Sequence, residues 1–112
     1  MSLYERFEDL DDRTRSRLDD ALMAEEAFVV GARATDGLLA RWCTRVVVTT
    51  DRVLEIRHVG LDWSVEGHRR ERIHDARATG DGTRLRFEAS LDEVEYSFGD
   101  AAIVDRLLTE LA

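Results

Sequence analysis

The sequence contains no lysine and no proline, and only one cysteine. All 16 of its cationic side chains are therefore arginines, set against 24 acids for a net charge of −8. Such a field repels DNA, RNA and anionic membranes at long range, so nucleic acid is not expected as a partner and any membrane contact is peripheral at most. The single thiol, Cys43, has no internal disulfide partner, which fits a reducing compartment. No apolar run approaches the ~18 residues that span a bilayer. The start of the chain, Met1 to Arg6, lacks the basic-then-apolar pattern of a signal peptide, and the expectation is a cytoplasmic protein. Acid excess without lysine also suits a salt-rich cytoplasm, where screening limits self-repulsion; an arginine-biased genome gives the same composition.

Apolar residues make up 44% and charged residues 36% of 112 residues, which is the make-up of one folded domain with one modest core. With no low-complexity linker and no repeat, the chain reads as one compact unit.

The first segment has helical spacing. Leu3, Phe7, Leu10, Leu18, Ala21 and Leu22 predict an amphipathic helical segment over residues 1–24, with a break near Asp11–Thr14 and Asp11 or Asp12 as a second N-cap. After Glu26 the period becomes two. Strands are predicted from Phe28 to Ala34, with Phe28, Val30, Ala32 and Ala34 on one face, and from Arg41 to Thr49, with Trp42, Val46 and Val48 opposite Cys43, Arg45 and Val47. Asp36-Gly37 is the turn between them. Further strands follow at Arg52–His58, with Leu54 and Ile56 facing the core and Glu55 and Arg57 facing out, and at Asp62–Arg70, with Trp63 and Val65 on one face. The stretch Ile73–Thr79 alternates poorly; Thr83–Ala89 and Glu93–Phe98 alternate well on either side of their turns. Asp100 then caps a helix whose stripe is Ile103, Val104, Leu107, Leu108 and Leu111.

Seven short antiparallel strands cannot lie as one flat sheet without exposed edges, and a helix with one apolar side must bury it. The expected fold class is α+β: a seven-stranded bent antiparallel sheet or partly open barrel capped by the C-terminal helix, over residues 25–112, with the N-terminal helical segment added to it.

Three stretches resemble the PH-like superfamily, in particular the small prokaryotic PH and GRAM-like domains. Leu22-Met23-Ala24-Glu25-Glu26-Ala27-Phe28-Val29 is similar to the family's acidic entry into the first strand. Arg45 to Leu54, with Thr49 and Arg52 within it, is similar to its "L-T-x-x-R-L" hairpin. Phe98-Gly99-Asp100 and the following helix match its closing element. The resemblance covers residues 24–112. It implies no common enzymatic activity; members bind lipid headgroups, peptides or proteins, and some form oligomers. Headgroup-binding members carry a basic loop between the first two strands. Here that stretch, Ala32 to Arg41, is short and nearly uncharged, which counts against that ligand.

No motif for catalysis stands out. His58, His68 and His74, with Asp62 or Asp75, match no zinc spacing, and half-buried or surface histidines are the expected outcome. Cys43 lacks any nucleophile signature. The acidic pairs Asp11-Asp12, Asp19-Asp20 and Glu25-Glu26 do not face one another on a helix and read as solvated. The one basic island, His68 to Arg77, could meet an acidic or phosphorylated partner, or could be a charged edge strand that blocks pairing. The candidate partner-binding residues are thus Trp63, as an aromatic anchor, and His68, Arg69, Arg70, Arg72 and Arg77.

The resulting expectation is a non-enzymatic binding module for a protein partner or for a second copy of itself, without cofactor, metal or small-molecule substrate. The N-terminal helix is the element expected to self-associate. The rival expectation is a lipid-headgroup or anion-binding module that uses the basic island.

Overall fold

In the computed structural model, which describes residues 3–35 and 42–111, the β-branched and aromatic stretches form eight strands: β1 (Leu3–Tyr4), β2 (Phe28–Ala34), β3 (Trp42–Thr49), β4 (Arg52–Val59), β5 (Asp62–Arg69), β6 (Ile73–Thr79), β7 (Arg84–Ala89) and β8 (Asp92–Ser97). They make two antiparallel sheets, β1-β2-β3-β4-β5 and β6-β7-β8, rather than a closed barrel. The helices are α1 (Asp12–Ala21) and α2 (Ala101–Leu111). The fold class is thus α+β. The predicted first turn at Asp36-Gly37, Arg41, and the side chains of Trp42 and Cys43 lie outside the described residues.

Hairpin register decides which residues share a face. Val48 pairs with Val53 across the Thr50-Asp51 turn, so Val53 joins Val46 and Val48 on the inner face of the large sheet. Facing them across the sheets are Leu85, Phe87, Ala89, Tyr96 and Phe98, and Ile103, Val104 and Leu107 of α2 seal the same cluster. The helix is started by Asp100, whose carboxylate accepts the backbone N–H of Ala102 at 2.9 Å. The sheets join where the Thr35 N–H donates to the Ser97 carbonyl at 2.7 Å.

Three expectations are corrected. The first concerns β4. Because Val53 points inward, Leu54 and Ile56 point to the outer face, and Glu55 is buried between the sheets instead of facing solvent. The second concerns Phe28. A bulge between Phe28 and Val30 sets two residues against one on β3, so Phe28 leaves the face of Val30, Ala32 and Ala34 and packs outward, edge-on to Phe7 at 6.2 Å. A second irregularity, between His74 and Arg77 with Asp75 at φ 60°, explains the poor alternation of β6.

The third concerns the N-terminal segment. It is not one helix over residues 1–24. Leu3 and Tyr4 extend along β2, opposite Ala32 and Gly31, and Phe7–Asp9 form a single 3-10 turn. Asp11 then caps α1, its carboxylate accepting the Thr14 N–H at 3.2 Å and the Thr14 hydroxyl at 2.6 Å. Tyr4, Leu10 and Leu18 bury themselves against Val47, Leu54 and Ile56 on the outer face of the large sheet. That sheet is therefore apolar on both sides, which is why Val46, Val47 and Val48 are all inaccessible to solvent. The apolar stripe of α1 thus packs on the chain's own large sheet. No helix among the described residues is long and apolar enough to cross a membrane.

Candidate functional site

Two of the three stretches that resemble the PH-like motifs, residues 22–29 and 45–54, meet at one end of the large sheet. Glu26 lies just before β2, and Thr49 and Arg52 flank the β3–β4 turn. Arg52 Nε donates to Glu26 Oε2 at 2.9 Å and Nη2 to Oε1 at 2.6 Å. The Thr49 hydroxyl donates to Glu26 Oε2 at 2.6 Å, and the Met23 N–H donates to Oε1 at 3.0 Å. A further Arg52 hydrogen goes to the Ala21 carbonyl at the end of α1, at 2.8 Å. Arginine and these other donors hold the Glu26 carboxyl down at about 2 against its burial. Every acceptor position of this inaccessible carboxylate is in use, so the cluster braces the start of β2, the β3–β4 hairpin and α1. It leaves no group free for chemistry.

The basic island divides in two. Arg70 is structural: Nη1 donates to the Thr49 carbonyl at 3.0 Å, Nη2 bonds the Glu110 carbonyl at the end of α2, and its backbone N–H reaches the Asp51 carbonyl at 2.9 Å. Its guanidinium thus also meets the negative end of the α2 dipole. Arg77 bends back to Asp75, to the carboxylate and to the carbonyl, both at 3.1 Å. His68, Arg69 and Arg72 line one pocket together with Gly67, Ala89 and Ser90. Arg69 holds only a loose ion pair with Glu71 at 3.5 Å, and Arg72 has no side-chain bond among the described residues. The four island arginines therefore do not act as a unit.

The histidines do not converge. His58 stacks flat on Trp63 on the outer face at 4.2 Å, His68 meets the edge of Phe87 on the inner face, and His74 is exposed on β6. Among the described residues no group of three or more histidine, cysteine or acidic side chains is placed to hold a metal. Trp63 is half-buried, with Arg17 of α1 5.5 Å above its ring. It helps to close the outer cluster.

Sequence reasoning read Glu26 as a solvated acid, whereas its side chain is inaccessible and paired with Arg52; it also missed two features. One is Glu55, buried between the sheets, which accepts the Tyr96 hydroxyl at 2.9 Å and an Arg57 guanidinium N–H. Alternation alone had placed it outside. The other is an apolar groove lined by Phe7, Leu22, Phe28 and Val29, with Glu5, Arg6 and Asp19 at its rim. It arises because β1 pairs with β2 only at Gly31 and Ala32, which leaves Phe28–Val30 with no strand on that side among the described residues. A bulge and a two-residue strand carry no periodic signal that could have announced it.

No family model, curated protein or solved structure matches this chain.

Proposed function

We propose that the protein is a non-enzymatic module of PH-like type that binds an extended segment of a partner protein in the groove between the N-terminal segment and β2. The observation that carries this reading is the coincidence there of apolar side chains with a stretch of β2 that no strand pairs on that side among the described residues. Phe7, Leu22, Phe28 and Val29 offer apolar contact, and beside them Phe28–Val30 of β2 has no strand on that side among the described residues. An added strand would gain main-chain hydrogen bonds from the edge and specificity from alternate side chains in the groove. Asp19, which lines the groove, forms no ion pair among the described residues, and the whole chain carries −8, so the fitting segment is apolar with basic flanks.

The PH-like assignment is supported by the Glu26–Thr49–Arg52 brace, where two of the three stretches that resemble the family, the entry into β2 and the β3–β4 hairpin, serve one another. A structural role for them suits a family defined by its scaffold.

Selection of random displayed peptides on the full chain tests the groove. Enriched sequences should combine apolar and basic residues, and their binding should be lost in Leu22→Arg, which adds charge at a half-buried position. Light scattering on the same two proteins separates a second copy as the occupant. Peptides that bind Leu22→Arg as well as the parent, or a dimer that Leu22→Arg abolishes, would overturn the reading.

A further inference from the structure

The corner between β5 and β6 is held rigidly by one arginine and flanked by two that have little to do. Arg70 ties it to the Thr49 and Glu110 carbonyls, and its N–H to the Asp51 carbonyl. The 3-10 turn Arg70–Arg72 is thereby fixed to the ends of β3 and α2. Arg69 and Arg72 emerge from this fixed corner into the same pocket. The same pocket is lined by Ser90 of the β7–β8 turn, which stands in the left-handed region at φ 58°, and by Gly67 and His68.

Arg69 and Arg72 line one pocket, and two cations there repel each other unless an anion lies between them. Among the described residues, the only acid paired with either is Glu71, across 3.5 Å, on a side chain 70% exposed. Such a pair contributes little and yields readily to a better acceptor. Other cations at this end are committed: Arg52 to Glu26, Arg70 to carbonyls.

We propose that Arg69 and Arg72, with the Ser90 hydroxyl and the His68 ring at the pocket wall, form a binding site for a phosphate group. Two guanidinium forks supply paired N–H donors in the geometry a tetrahedral oxyanion accepts, and a serine hydroxyl suits a third oxygen. The site uses the part of the basic island that the fold leaves unspent, and it is independent of the apolar groove. Its ligand is a phosphate ester or inorganic phosphate; a lipid headgroup would present the same group from a surface.

Inorganic phosphate titrated into the nitrogen-15-labelled full chain should shift the amides of 67–72 and 90–91 saturably. Arg69→Ala and Arg72→Ala should each weaken this by roughly tenfold, as loss of a charge-assisted bond implies. Arg13→Ala, which removes an exposed arginine on α1 that has no ion pair among the described residues, should leave it unchanged. Pelleting with phosphatidylinositol phosphate vesicles identifies the source. Pelleting that Arg72→Ala abolishes assigns a headgroup; saturable phosphate shifts without pelleting assign a soluble phosphate compound. Shifts that grow linearly without saturation, or that persist in Arg72→Ala, overturn the site.

Discussion

Arg52 grips Glu26 through two parallel hydrogen bonds, Nε to Oε2 at 2.9 Å and Nη2 to Oε1 at 2.6 Å, and the glutamate side chain is wholly inaccessible to solvent. Removing one partner of such a pair strands the other charge, at a cost of about 3–5 kcal/mol. Arg52→Ala should lower the unfolding free energy by that amount. Arg52→Lys should recover only part of it, because an ammonium cannot serve both carboxylate oxygens and the Ala21 carbonyl in the same plane. Urea unfolding of the three proteins measures the difference.

The same carboxylate sets the acid limit of the fold. The Glu26 carboxyl titrates at about 2 when folded, against 4.5 as its ordinary value, chiefly through the Arg52 hydrogen bonds. A depressed folded value means that the unfolded chain takes up the proton first. The stabilisation is complete above the ordinary value and is lost as pH falls from about 4.5 toward 2. A shift of this size corresponds to roughly 3 kcal/mol. Stability measured between pH 6 and pH 2 should therefore fall less steeply in Glu26→Gln, which starts lower but has no proton to gain there.

How much of this was legible beforehand depends on the range of each interaction. The stripe of Leu85, Phe87 and Ala89, the Asp100 cap and the apolar side of α2 are local patterns, and they stand where the sequence places them. Alternation tells which residues share a face but not what covers it. Val47, Leu54 and Ile56 therefore gave no sign that a second layer lies over them, and Glu55 was put outside. Leu3, Phe7 and Leu10 recur at spacings of four and three, so a short strand and a 3-10 turn mimic a helix. In the basic island, nothing in the run of arginines distinguishes Arg70, which is spent on carbonyls 21 and 40 residues away, from Arg72, which is not.

Tyr96 and Glu55 give an alkaline counterpart. Burial, reinforced by the nearby Glu55 charge, pushes the Tyr96 phenol well above its ordinary value of 10. The folded state thus holds this proton more tightly than the unfolded chain. The contribution is complete below pH 10 and disappears as pH rises beyond it. Tyr96 should show no phenolate absorbance until the chain unfolds. Tyr96→Phe should cost about 1–3 kcal/mol at neutral pH, since Glu55 loses a donor in a buried position, and should flatten the alkaline loss of stability. Absorbance at high pH alongside circular dichroism checks both; phenolate signal from Tyr96 in the folded state would contradict the burial argument.

Gly67 stands opposite Leu54 in the β4–β5 ladder, and a Cβ there would lie 2.8 Å from Leu54 Cδ2. Leu54 is fully buried in the outer cluster, so it can retreat only by disturbing Ile56 or Leu18. Gly67→Ala should destabilise by about 1–3 kcal/mol, the usual range for overpacking. A double variant, Gly67→Ala with Leu54→Ala, should be less destabilised than the sum of its parts, because the smaller side chain makes room. Additive losses would place the strain elsewhere.

The outer cluster also decides what the N-terminal segment is for. Tyr4, Leu10 and Leu18 cover Val47, Leu54 and Ile56, and Glu5 reaches back to α2 through Arg106 at 2.9 Å. An amphipathic helix that served as an assembly handle would leave a monomer when deleted. A cover does the opposite. Removal of residues 1–24 uncovers a contiguous apolar face on the large sheet, together with the β2 edge that β1 had paired. The shortened chain should therefore associate or precipitate where the full chain does not. Leu18→Ala should show the same tendency in milder form, with a loss of about 2–5 kcal/mol from the cavity beneath α1. Light scattering on the three proteins at matched concentration measures this; a truncated chain that stays monomeric and folded would mean that the outer face is not held by hydrophobic cover at all.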